Sequence, residues 1–257
     1  MPGEATAAAL TRDHYLGGRL ALWQPAAGYR AGVDAVFLAA ACPARPGESV
    51  LELGCGAGTA ILCLGARVRG LRLAAVERQE EMADLARRNA EDAGLALDLH
   101  VGDLADLPAG LRRQAFDHVI ANPPYFDRGA SLRSGHAARE AAMGEDTPLA
   151  SWLQVAARRL RPKGWLTLIH RPARLADILA GLGDLGSVQI QPLIPRRGRD
   201  ANLVLVRARK GGRAQLRLHA AVVLHEGHAH LRDGEDYTAA IRSVLREAAA
   251  FPGFSPA

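Results

Sequence analysis

The chain of 257 residues has a formal net charge of +5, with 49% hydrophobic and 23% charged residues and a mean hydropathy close to zero. This composition is typical of a water-soluble globular protein and not of a disordered or a membrane protein. No run of about 18 uncharged apolar residues is present, and the start does not resemble a signal peptide, so we expect a cytoplasmic protein that does not cross a membrane. The length fits a single domain, 1–257, and the positive charge favours a polyanionic partner.

The cysteines and histidines do not predict a metal site. The three cysteines are odd in number and lack Cys-x-x-Cys spacing, so we expect reduced, structural thiols: Cys42, Cys55 and Cys63. A zinc protease motif beginning at His225 would need a second histidine four residues later, where Ala229 stands. On a strand, His228 and His230 would only share one face.

The first 45 residues, 1–45, precede the alternation of strands and helices that begins at residue 48. We predict that they form a cap that packs against the sheet. Residues 19–23 are typical of a strand, residues 25–32 of a turn and residues 33–41 of a helix.

Strands and helices alternate from residue 48 to residue 182. Residues 48–53 are apolar and are followed at once by glycines, which predicts a buried parallel strand. The predicted elements are strand 48–53, helix 59–67, strand 71–76, helix 80–93, strand 97–101, strand 117–121, helix 149–160, strand 164–170 and helix 173–182. This order predicts an α/β, Rossmann-like fold with a mostly parallel, doubly wound sheet and helices on both faces.

The last part of the chain predicts strands 188–193, 202–209 and 216–224, followed by a helix over 237–249. We expect these strands to form an antiparallel C-terminal edge of the sheet. Residues 126–148 lack periodicity, and a connection of this length inside a compact domain is usually functional or disordered. We therefore predict a mobile flap, 126–148, beside the site.

A glycine-rich loop follows the first strand of the sheet, in the sequence Glu52-Leu-Gly-Cys-Gly-Ala-Gly58. A dinucleotide fingerprint would need Gly or Ala where Thr59 stands, so the loop fits S-adenosylmethionine, which has no pyrophosphate, better than NAD. Glu77 ends the second strand and can accept hydrogen bonds from ribose hydroxyls, and Asp103 follows the third strand and can accept from an adenine amino group. The predicted cofactor-binding residues are Glu52, Gly54, Gly56, Gly58, Glu77, Asp103 and Asn122.

The tetrapeptide Asn122-Pro123-Pro124-Tyr125 follows the fourth strand. The two prolines stiffen this turn, so the Asn122 amide oxygen and the Pro123 carbonyl can point at one place beside the Tyr125 ring. Two acceptors and a stacking face suit an NH2 group on a planar ring. We predict methylation of nitrogen, with Asn122, Pro123 and Tyr125 as catalytic residues and with Pro124, Tyr125 and Phe126 contacting the substrate.

In this order, the motifs resemble those of class I S-adenosylmethionine-dependent methyltransferases that act on exocyclic or amide nitrogens. Residues 24–38 are similar to the lead-in of the bacterial tRNA1(Val) adenine-N6 methyltransferase family, as are Arg139-Glu140 and residues 236–238. The resemblance covers nearly the whole chain. It implies the class I fold, S-adenosylmethionine as cofactor, and methylation of the adenosine 3′ of the anticodon in valine tRNA.

The Asn-Pro-Pro-Tyr motif leaves alternatives open, because guanine-N2 methyltransferases and the glutamine-N5 methyltransferases of release factors also carry it. A cofactor-binding RNA-interaction module without turnover is a third possibility, which the intact motif disfavours. The basic charge and the similarity of residues 24–38 favour tRNA as the partner. A monomer and a homodimer are both compatible with the sequence.

A group of basic residues follows residue 195. Their number predicts a basic surface that contacts the phosphates of a nucleic acid, although a basic face that is only solvated explains it almost equally well. The residues are Arg196, Arg197, Arg199, Arg207, Arg209, Lys210 and Arg213. The predicted substrate contacts among the basic residues are Arg139, Arg196 and Arg197.

Overall fold

The computed structural model describes residues 9–28, 30–125, 147–227 and 236–254. Within these residues, a hairpin of β1 (Leu10–Tyr15) and β2 (Leu20–Pro25) precedes a nine-stranded sheet. The sheet contains β3 (Ser49–Leu53), β4 (Arg72–Glu77), β5 (Leu97–Val101), β6 (Phe116–Ala121), β7 (Leu160–His170), β8 (Leu185–Ile194), β9 (Leu203–Lys210), β10 (Arg217–Leu218) and β11 (Val222–Val223). Their spatial order is β10-β8-β9-β7-β6-β3-β4-β5, and β11 also pairs with β8.

Helices cover both faces of the sheet. They are α1 (Val33–Ala41), α2 (Thr59–Arg67), α3 (Glu80–Asp92), α4 (Ala109–Arg112), α5 (Leu149–Arg159), α6 (Leu175–Gly181) and α7 (Ala239–Glu247). Val50 and Leu51 are neighbours in β3, and because successive side chains of a strand point to opposite faces they belong to two different apolar clusters. The first cluster contains side chains of α1, α2 and α7, and the second contains side chains of α4, α5 and α6. None of the helices described is long and apolar enough to span a lipid bilayer.

The directions of the strands confirm the predicted fold class. Among the five strands β3 to β7, every pair of neighbouring strands is parallel. Strand β9 is antiparallel to both β7 and β8. Strand β3 is buried along its whole length, as expected for a strand covered on both sides. The predicted antiparallel pairing near the C-terminal edge is therefore present, with β9 as the reversed strand.

The chain reverses its direction of travel across the sheet between β3 and β6. From β3 it continues outward through β4 and β5, and then it crosses to the other side of β3 to form β6 and β7. In open α/β sheets, ligands bind at such a switch point, outside the carboxyl ends of the strands. The glycine loop after β3 and the Asn-Pro-Pro-Tyr turn after β6 thus meet at this point.

The N-terminal hairpin has one strand that the sequence analysis did not predict. Strand β1 lies antiparallel to β2, and the link between them contains Gly17 and Gly18, both with positive φ. A Gly-Gly pair is a turn signal, and it could have identified the hairpin. The helix predicted over Val33–Ala41 is confirmed as α1, and its Phe37 and Leu38 are fully buried in the first apolar cluster.

The single strand predicted over 216–224 was wrong. The structure has two short strands, β10 and β11, each parallel to β8. Between them, the Gln191 side-chain amide donates a hydrogen bond to the Ala220 carbonyl at 2.6 Å. Residues 219–221 lie opposite only two residues of β8, Gln191 and Pro192, so the register shifts by one residue between β10 and β11 and the strand is interrupted there. Of the predicted flap, 126–148, residues 126–146 lie outside the described part of the chain.

Candidate functional site

The glycine loop between β3 and α2 has a backbone that glycine readily adopts. Gly54, Gly56 and Gly58 have φ values of 61°, 52° and 85°, in the left-handed region that other residues seldom enter. A Cβ atom on Gly54 would lie 2.4 Å from the Trp152 ring of α5, and one on Gly58 would lie 3.3 Å from the Ala86 side chain of α3. The loop is therefore a close-fitting backbone cradle at the switch point.

Glu77, the last residue of β4, is hydrogen-bonded to this loop. Its Oε2 accepts a hydrogen bond from the Gly56 amide at 2.8 Å, and its Oε1 accepts one from the Gln79 amide at 2.9 Å. A carboxylate can accept about four hydrogen bonds, so each oxygen keeps capacity for a ligand hydroxyl. Glu77 thus both shapes the loop and presents acceptors at the edge of the sheet.

Glu52 lies beneath the loop and is only 3% exposed. Its Oε2 accepts a hydrogen bond from the Ile61 amide at 2.9 Å, which satisfies a donor in the first turn of α2. Burial raises the pKa of Glu52 well above its usual value, and the charge of Glu77 adds to this effect. The side chain predicted to bind the cofactor is therefore placed to support the loop from below.

Asp103 lies next to Glu77, one strand further out. The Gly102 amide donates to the Glu77 carbonyl at 2.9 Å, which joins the ends of β4 and β5. Asp103 Oδ1 accepts from the Ala105 amide at 2.8 Å, and Oδ2 lies 4.0 Å from Arg78. The side chain is 39% exposed, so it remains accessible at the edge of the site.

Asn122 and Tyr125 both donate hydrogen bonds to Asp34. The Asn122 Nδ2 and the Tyr125 hydroxyl each lie 2.9 Å from Asp34 Oδ2. The amide oxygen of Asn122 is covered and has no hydrogen-bond partner within the described residues. A buried amide oxygen without a partner costs about 1–3 kcal/mol, and this cost is removed when a ligand supplies an N–H or O–H donor.

Tyr125 is held from two further directions. The His170 ring at the end of β7 meets the Tyr125 ring edge-on, with 5.2 Å between their centroids, and the Arg171 guanidinium carbon lies 5.2 Å from the Tyr125 centroid. Burial, aided by the charge of Arg174, lowers the pKa of His170 to about 4. His170 Nδ1 accepts from the Arg171 amide at 2.8 Å, so the neutral ring carries its proton on Nε2.

Three side chains that position the site were not predicted as site residues. Asp34 belongs to α1 and reaches the motif from the N-terminal part of the chain. Asn89 of α3 is fully buried, and its Nδ2 donates to the Ala57 carbonyl of the glycine loop at 2.9 Å. Trp152 packs against Gly54. No local pattern identifies these residues, because their contacts are distant in the sequence; only Asp34 lay within a segment that resembled a family.

The predicted phosphate-binding residues lie at both ends of β9, and their binding of phosphates stays a prediction. Strand β9 spans about 24 Å from Leu203 to Lys210 at roughly 3.4 Å per residue. The basic residues before it lie near the carboxyl ends of β6 and β7, whereas those at its end and beyond lie at the opposite edge of the sheet. The first group is Arg196, Arg197 and Arg199, and the second is Arg209, Lys210 and Arg213.

Two arginines of the predicted surface are engaged inside the protein. Arg196 forms an ion pair with Asp236 and also donates to the Glu226 carbonyl. Arg207 donates to the Ala41 carbonyl and lies 3.8 Å from the Phe254 centroid, and burial lowers its pKa to about 10. The exposed members of the first group are Arg197 and Arg199.

Several predicted residues lie outside the described part of the chain: Phe126, Arg139, Glu140, His228 and His230. Among the residues that are described, no group of three or more His, Cys, Asp or Glu side chains could hold a metal ion.

The strand order, with its switch point between the glycine loop and Asn122, is that of the class I S-adenosylmethionine-dependent methyltransferases, whose cofactor is S-adenosylmethionine. A family model described as a methyltransferase domain matches residues 50–134. The tRNA1(Val) (adenine(37)-N6)-methyltransferase of Actinobacillus succinogenes is 32% identical over 180 residues, which are 69% of this chain and 75% of that protein. The enzyme of the same name from Aeromonas hydrophila is 30% identical over 187 residues, which are 71% of this chain and 77% of that protein. The chain belongs to the tRNA1(Val) (adenine(37)-N6)-methyltransferase family.

Solved structures agree on the fold. A predicted O-methyltransferase from Agrobacterium tumefaciens is 29% identical and superimposes with a TM-score of 0.69, covering 85% of this chain and 98% of that chain. A class I methyltransferase from Listeria monocytogenes gives a TM-score of 0.51 at 17% identity, over 74% of this chain and 63% of that chain, and supports the fold alone. The backbone cradle of Gly54 to Gly58 and the spare acceptor positions of Glu77 fit the cofactor of this class.

Proposed function

We propose that this protein transfers a methyl group from S-adenosylmethionine to the exocyclic N6 of an adenosine in tRNA, next to the anticodon of valine tRNA. The observation that carries the proposal is the covered, unpartnered amide oxygen of Asn122 beside Tyr125, at the edge of the sheet where the glycine loop ends. A hydrogen-bond acceptor in this position can bind an N–H of an amino group on the substrate. The printed names of the sequence relatives support adenine as the base that carries the amino group.

The cofactor side of the proposed site consists of the glycine loop and the acidic strand ends. S-adenosylmethionine, when bound, supplies an electrophilic methyl group on a sulfonium sulfur. Glu77 and Asp103 accept hydrogen bonds from hydroxyl and amino groups of the ligand, because their carboxylates lie at the ends of neighbouring strands. Glu52 keeps α2 and the loop in place from below.

On the substrate side, Asn122 and Pro123 increase the nucleophilicity of the target nitrogen. The N6 lone pair of adenine is delocalised into the ring, so the amino group is a weak nucleophile while it stays planar. Hydrogen bonds from its two hydrogens to the Asn122 oxygen and the Pro123 carbonyl favour a more tetrahedral nitrogen with an available lone pair. Alignment of the two reacting groups can contribute about 7–11 kcal/mol, so the proposal requires no general base before the methyl group moves. The new nitrogen–carbon bond would form as the carbon–sulfur bond breaks, with S-adenosylhomocysteine as the leaving group, and the methylated nitrogen, positively charged at that point, would release one of its hydrogens as a proton to solvent.

Tyr125 and Pro124 form the surface against which the target base lies. The base must leave its neighbours to reach Asn122, and an unpaired anticodon loop makes this easier than a duplex would. The Asp34 hydrogen bond, the His170 edge contact and Arg171 fix the Tyr125 ring before substrate arrives. A fixed ring loses little conformational freedom when the base stacks on it.

Exposed arginines near the site support a nucleic-acid partner. Arg171 follows β7 beside Tyr125, and its guanidinium donates to the Asn202 carbonyl at 3.4 Å, in the loop that also carries Arg197 and Arg199. These residues follow the carboxyl ends of β7 and β8, which lie on either side of β9, at the same edge of the sheet as the proposed base site. They are in a position to contact phosphates on either side of the target nucleotide. A tRNA substrate also agrees with the cytoplasmic location expected from the sequence.

The decisive experiment uses labelled S-adenosylmethionine and a valine tRNA transcript made in vitro. The transcript is digested to nucleosides after the reaction, and we expect the label in N6-methyladenosine. A second transcript with guanosine in place of the adenosine 3′ of the anticodon is the matched control and should remain unlabelled. Equal labelling of both transcripts, or no labelling of either, would contradict the proposal.

A hydroxyl acceptor is the second candidate, because the similar Agrobacterium tumefaciens structure is named as a predicted O-methyltransferase. The Asn122 oxygen can accept an O–H as well as an N–H donor. The same reaction mixture therefore includes total tRNA and a release factor, and the chemical form of the product is determined in each. Label in an O-methyl group, in N2-methylguanosine or in methylated glutamine would identify one of the alternative reactions.

A further inference from the structure

The three side chains Asp34, Asn122 and Tyr125 meet at a single oxygen atom. Asp34 Oδ2 accepts from both Asn122 Nδ2 and the Tyr125 hydroxyl, each at 2.9 Å, although 88 residues separate Asp34 from Asn122. We propose that Asp34 is a positioning residue that fixes which end of the Asn122 amide faces the substrate. This inference rests on the proposed function, because it explains how the site selects an amino group.

The proposal follows from the chemistry of a carboxylate. Ionised Asp34 can only accept hydrogen bonds, whereas an asparagine amide has a donating end and an accepting end of nearly equal shape. The end of Asn122 that faces Asp34 must therefore be the NH2 group. The oxygen is left on the opposite side, where it has no partner among the described residues. Rotating the amide by half a turn would bring two acceptors together and would present an NH2 group to the substrate amino group.

Asp34 is itself held in place at the start of α1. Its Oδ1 accepts from the Gly32 amide at 3.1 Å, and the preceding Ala31 amide donates to Gln24 Oε1 at 2.7 Å. At the other end of the helix, Arg67 donates to the carbonyls of Ala39 and Cys42. Because α1 is anchored at both ends, the carboxylate cannot easily follow a rotating Asn122 amide.

The arrangement assigns a function to the N-terminal part of the chain. The segment from β2 through α1 brings an acceptor to the motif after β6, and the motif alone contains nothing that would distinguish the two amide orientations. The Tyr125 hydroxyl uses the same carboxylate oxygen, so Asp34 also fixes the ring beside the acceptor. Recognition of an amino group, as opposed to a carbonyl group, therefore depends on Asp34 through Asn122.

Asp34→Asn tests this role, because the new amide is the same size but can donate as well as accept. Both orientations of Asn122 become possible in the variant. We expect kcat for the valine tRNA transcript to fall by roughly 10- to 100-fold, the effect of losing one charge-assisted hydrogen bond. The dissociation constant for S-adenosylmethionine, measured by calorimetry, should stay close to that of the unmodified protein. Asp177→Asn, which changes an exposed aspartate on α6, is the matched control and should leave both values unchanged.

A second measurement separates positioning from a general loss of structure. Anticodon stem-loops with adenosine or inosine at the target position differ in whether the base offers an amino group or a carbonyl oxygen. The unmodified protein should bind the adenosine form more tightly, and Asp34→Asn should lose this preference because its Asn122 can present an NH2 group. Tyr125→Phe removes the other donor to Asp34 while the Asn122 contact remains, so it should retain the preference for adenosine.

The outcomes distinguish this inference from the proposed function. If the unmodified protein makes no N6-methyladenosine, the proposed function fails before any variant is compared. If it does, and Asp34→Asn keeps both the normal kcat and the preference for adenosine, the role of Asp34 is overturned. Should Asp34→Asn fail to fold, Asp34→Ser, which is also neutral and also able to donate, is measured for the same binding preference with the same two outcomes.

Discussion

The aromatic ring of Trp152 in α5 lies directly against Gly54 of the glycine loop, so that a Cβ atom on Gly54 would be 2.4 Å from Cη2 of Trp152. Gly54→Ala should therefore destabilise the folded protein in two ways, by strain of the left-handed backbone and by a clash with the Trp152 ring. The clash should lower the free energy of unfolding by about 1–3 kcal/mol. Gly94→Ala is the control, because Gly94 has a similar φ of 63° but no atom within 4 Å of the Cβ position. Thermal unfolding should show a larger fall in Tm for Gly54→Ala than for Gly94→Ala, by about 2–4 °C for each additional kcal/mol of lost stability.

The clash can be isolated with Trp152→Ala. In a double-mutant cycle, the cost of Gly54→Ala should be smaller when Trp152 is already alanine, because only the backbone strain then remains. Additive effects of the two substitutions on the free energy of unfolding would show that the contact between Trp152 and the loop does not explain the need for glycine.

Glu77 is expected to control cofactor affinity. Glu77→Gln keeps the shape of the side chain but replaces one acceptor oxygen, so the carboxamide cannot accept from both the Gly56 and Gln79 amides. A lost charge-assisted hydrogen bond is worth about 1.5–3 kcal/mol, which raises the dissociation constant for S-adenosylmethionine by roughly 10- to 100-fold. Calorimetry measures this constant, with the exposed Glu81→Gln as control. An unchanged constant in Glu77→Gln would remove Glu77 from the cofactor site.

Asn122, although also predicted to contact the cofactor, is expected to affect turnover far more than cofactor affinity. Asn122→Ala removes the acceptor oxygen and also leaves Asp34 with one donor fewer, but the glycine loop and Glu77 remain intact. Methyl transfer to the valine tRNA transcript should fall below detection, while calorimetry gives a dissociation constant for S-adenosylmethionine close to normal. Normal turnover by this variant would rule out the proposed catalytic role.

The exposed arginines of the loop between β8 and β9 are expected to contribute to tRNA affinity. Each phosphate contact to a single-stranded segment contributes about 0.7 to the slope of the logarithm of affinity against the logarithm of salt concentration. Replacing both Arg197 and Arg199 by alanine should therefore reduce the slope by about 1.4. Arg213→Ala, at the opposite edge of the sheet, is the control and should leave the slope unchanged. Arg196 is kept in all variants because of its ion pair with Asp236.

His170 is expected to make the folded protein less stable in acid. Burial lowers its pKa to about 4 in the folded state, whereas an unfolded histidine has a pKa of about 6.5. Between these values the unfolded state binds more protons, so the free energy of unfolding decreases as the pH falls, by about 3 kcal/mol over the window. In His170→Gln, urea unfolding from pH 7 to pH 4 should show a smaller decrease by about this amount. The exposed His14→Gln is the control, and an identical decrease in His170→Gln would contradict the assignment.

The sequence could predict most of the fold, because local patterns determine elements of this kind. A buried apolar strand followed by glycines identified β3 and its loop, and α2 has the same bounds as predicted, Thr59–Arg67. The interruption of the strand beyond residue 216 could not be predicted, because the register shifts against two residues of another strand, Gln191 and Pro192 of β8. The hairpin strand β1 carried a signal in Gly17-Gly18 that was not used.

The sequence by itself determined the chemistry of the motifs, since a glycine loop, acidic strand ends and a stiff Asn-Pro-Pro-Tyr turn need only local geometry. Only the tertiary structure decided which basic residues face the site, because β9 reverses direction and separates Arg197 from Arg213 along its length. It also decided the partner of Asn122. Asp34 reaches that amide through the packing of α1 on the sheet, across 88 residues of chain, and a contact over such a separation is set by the whole core and not by any local pattern.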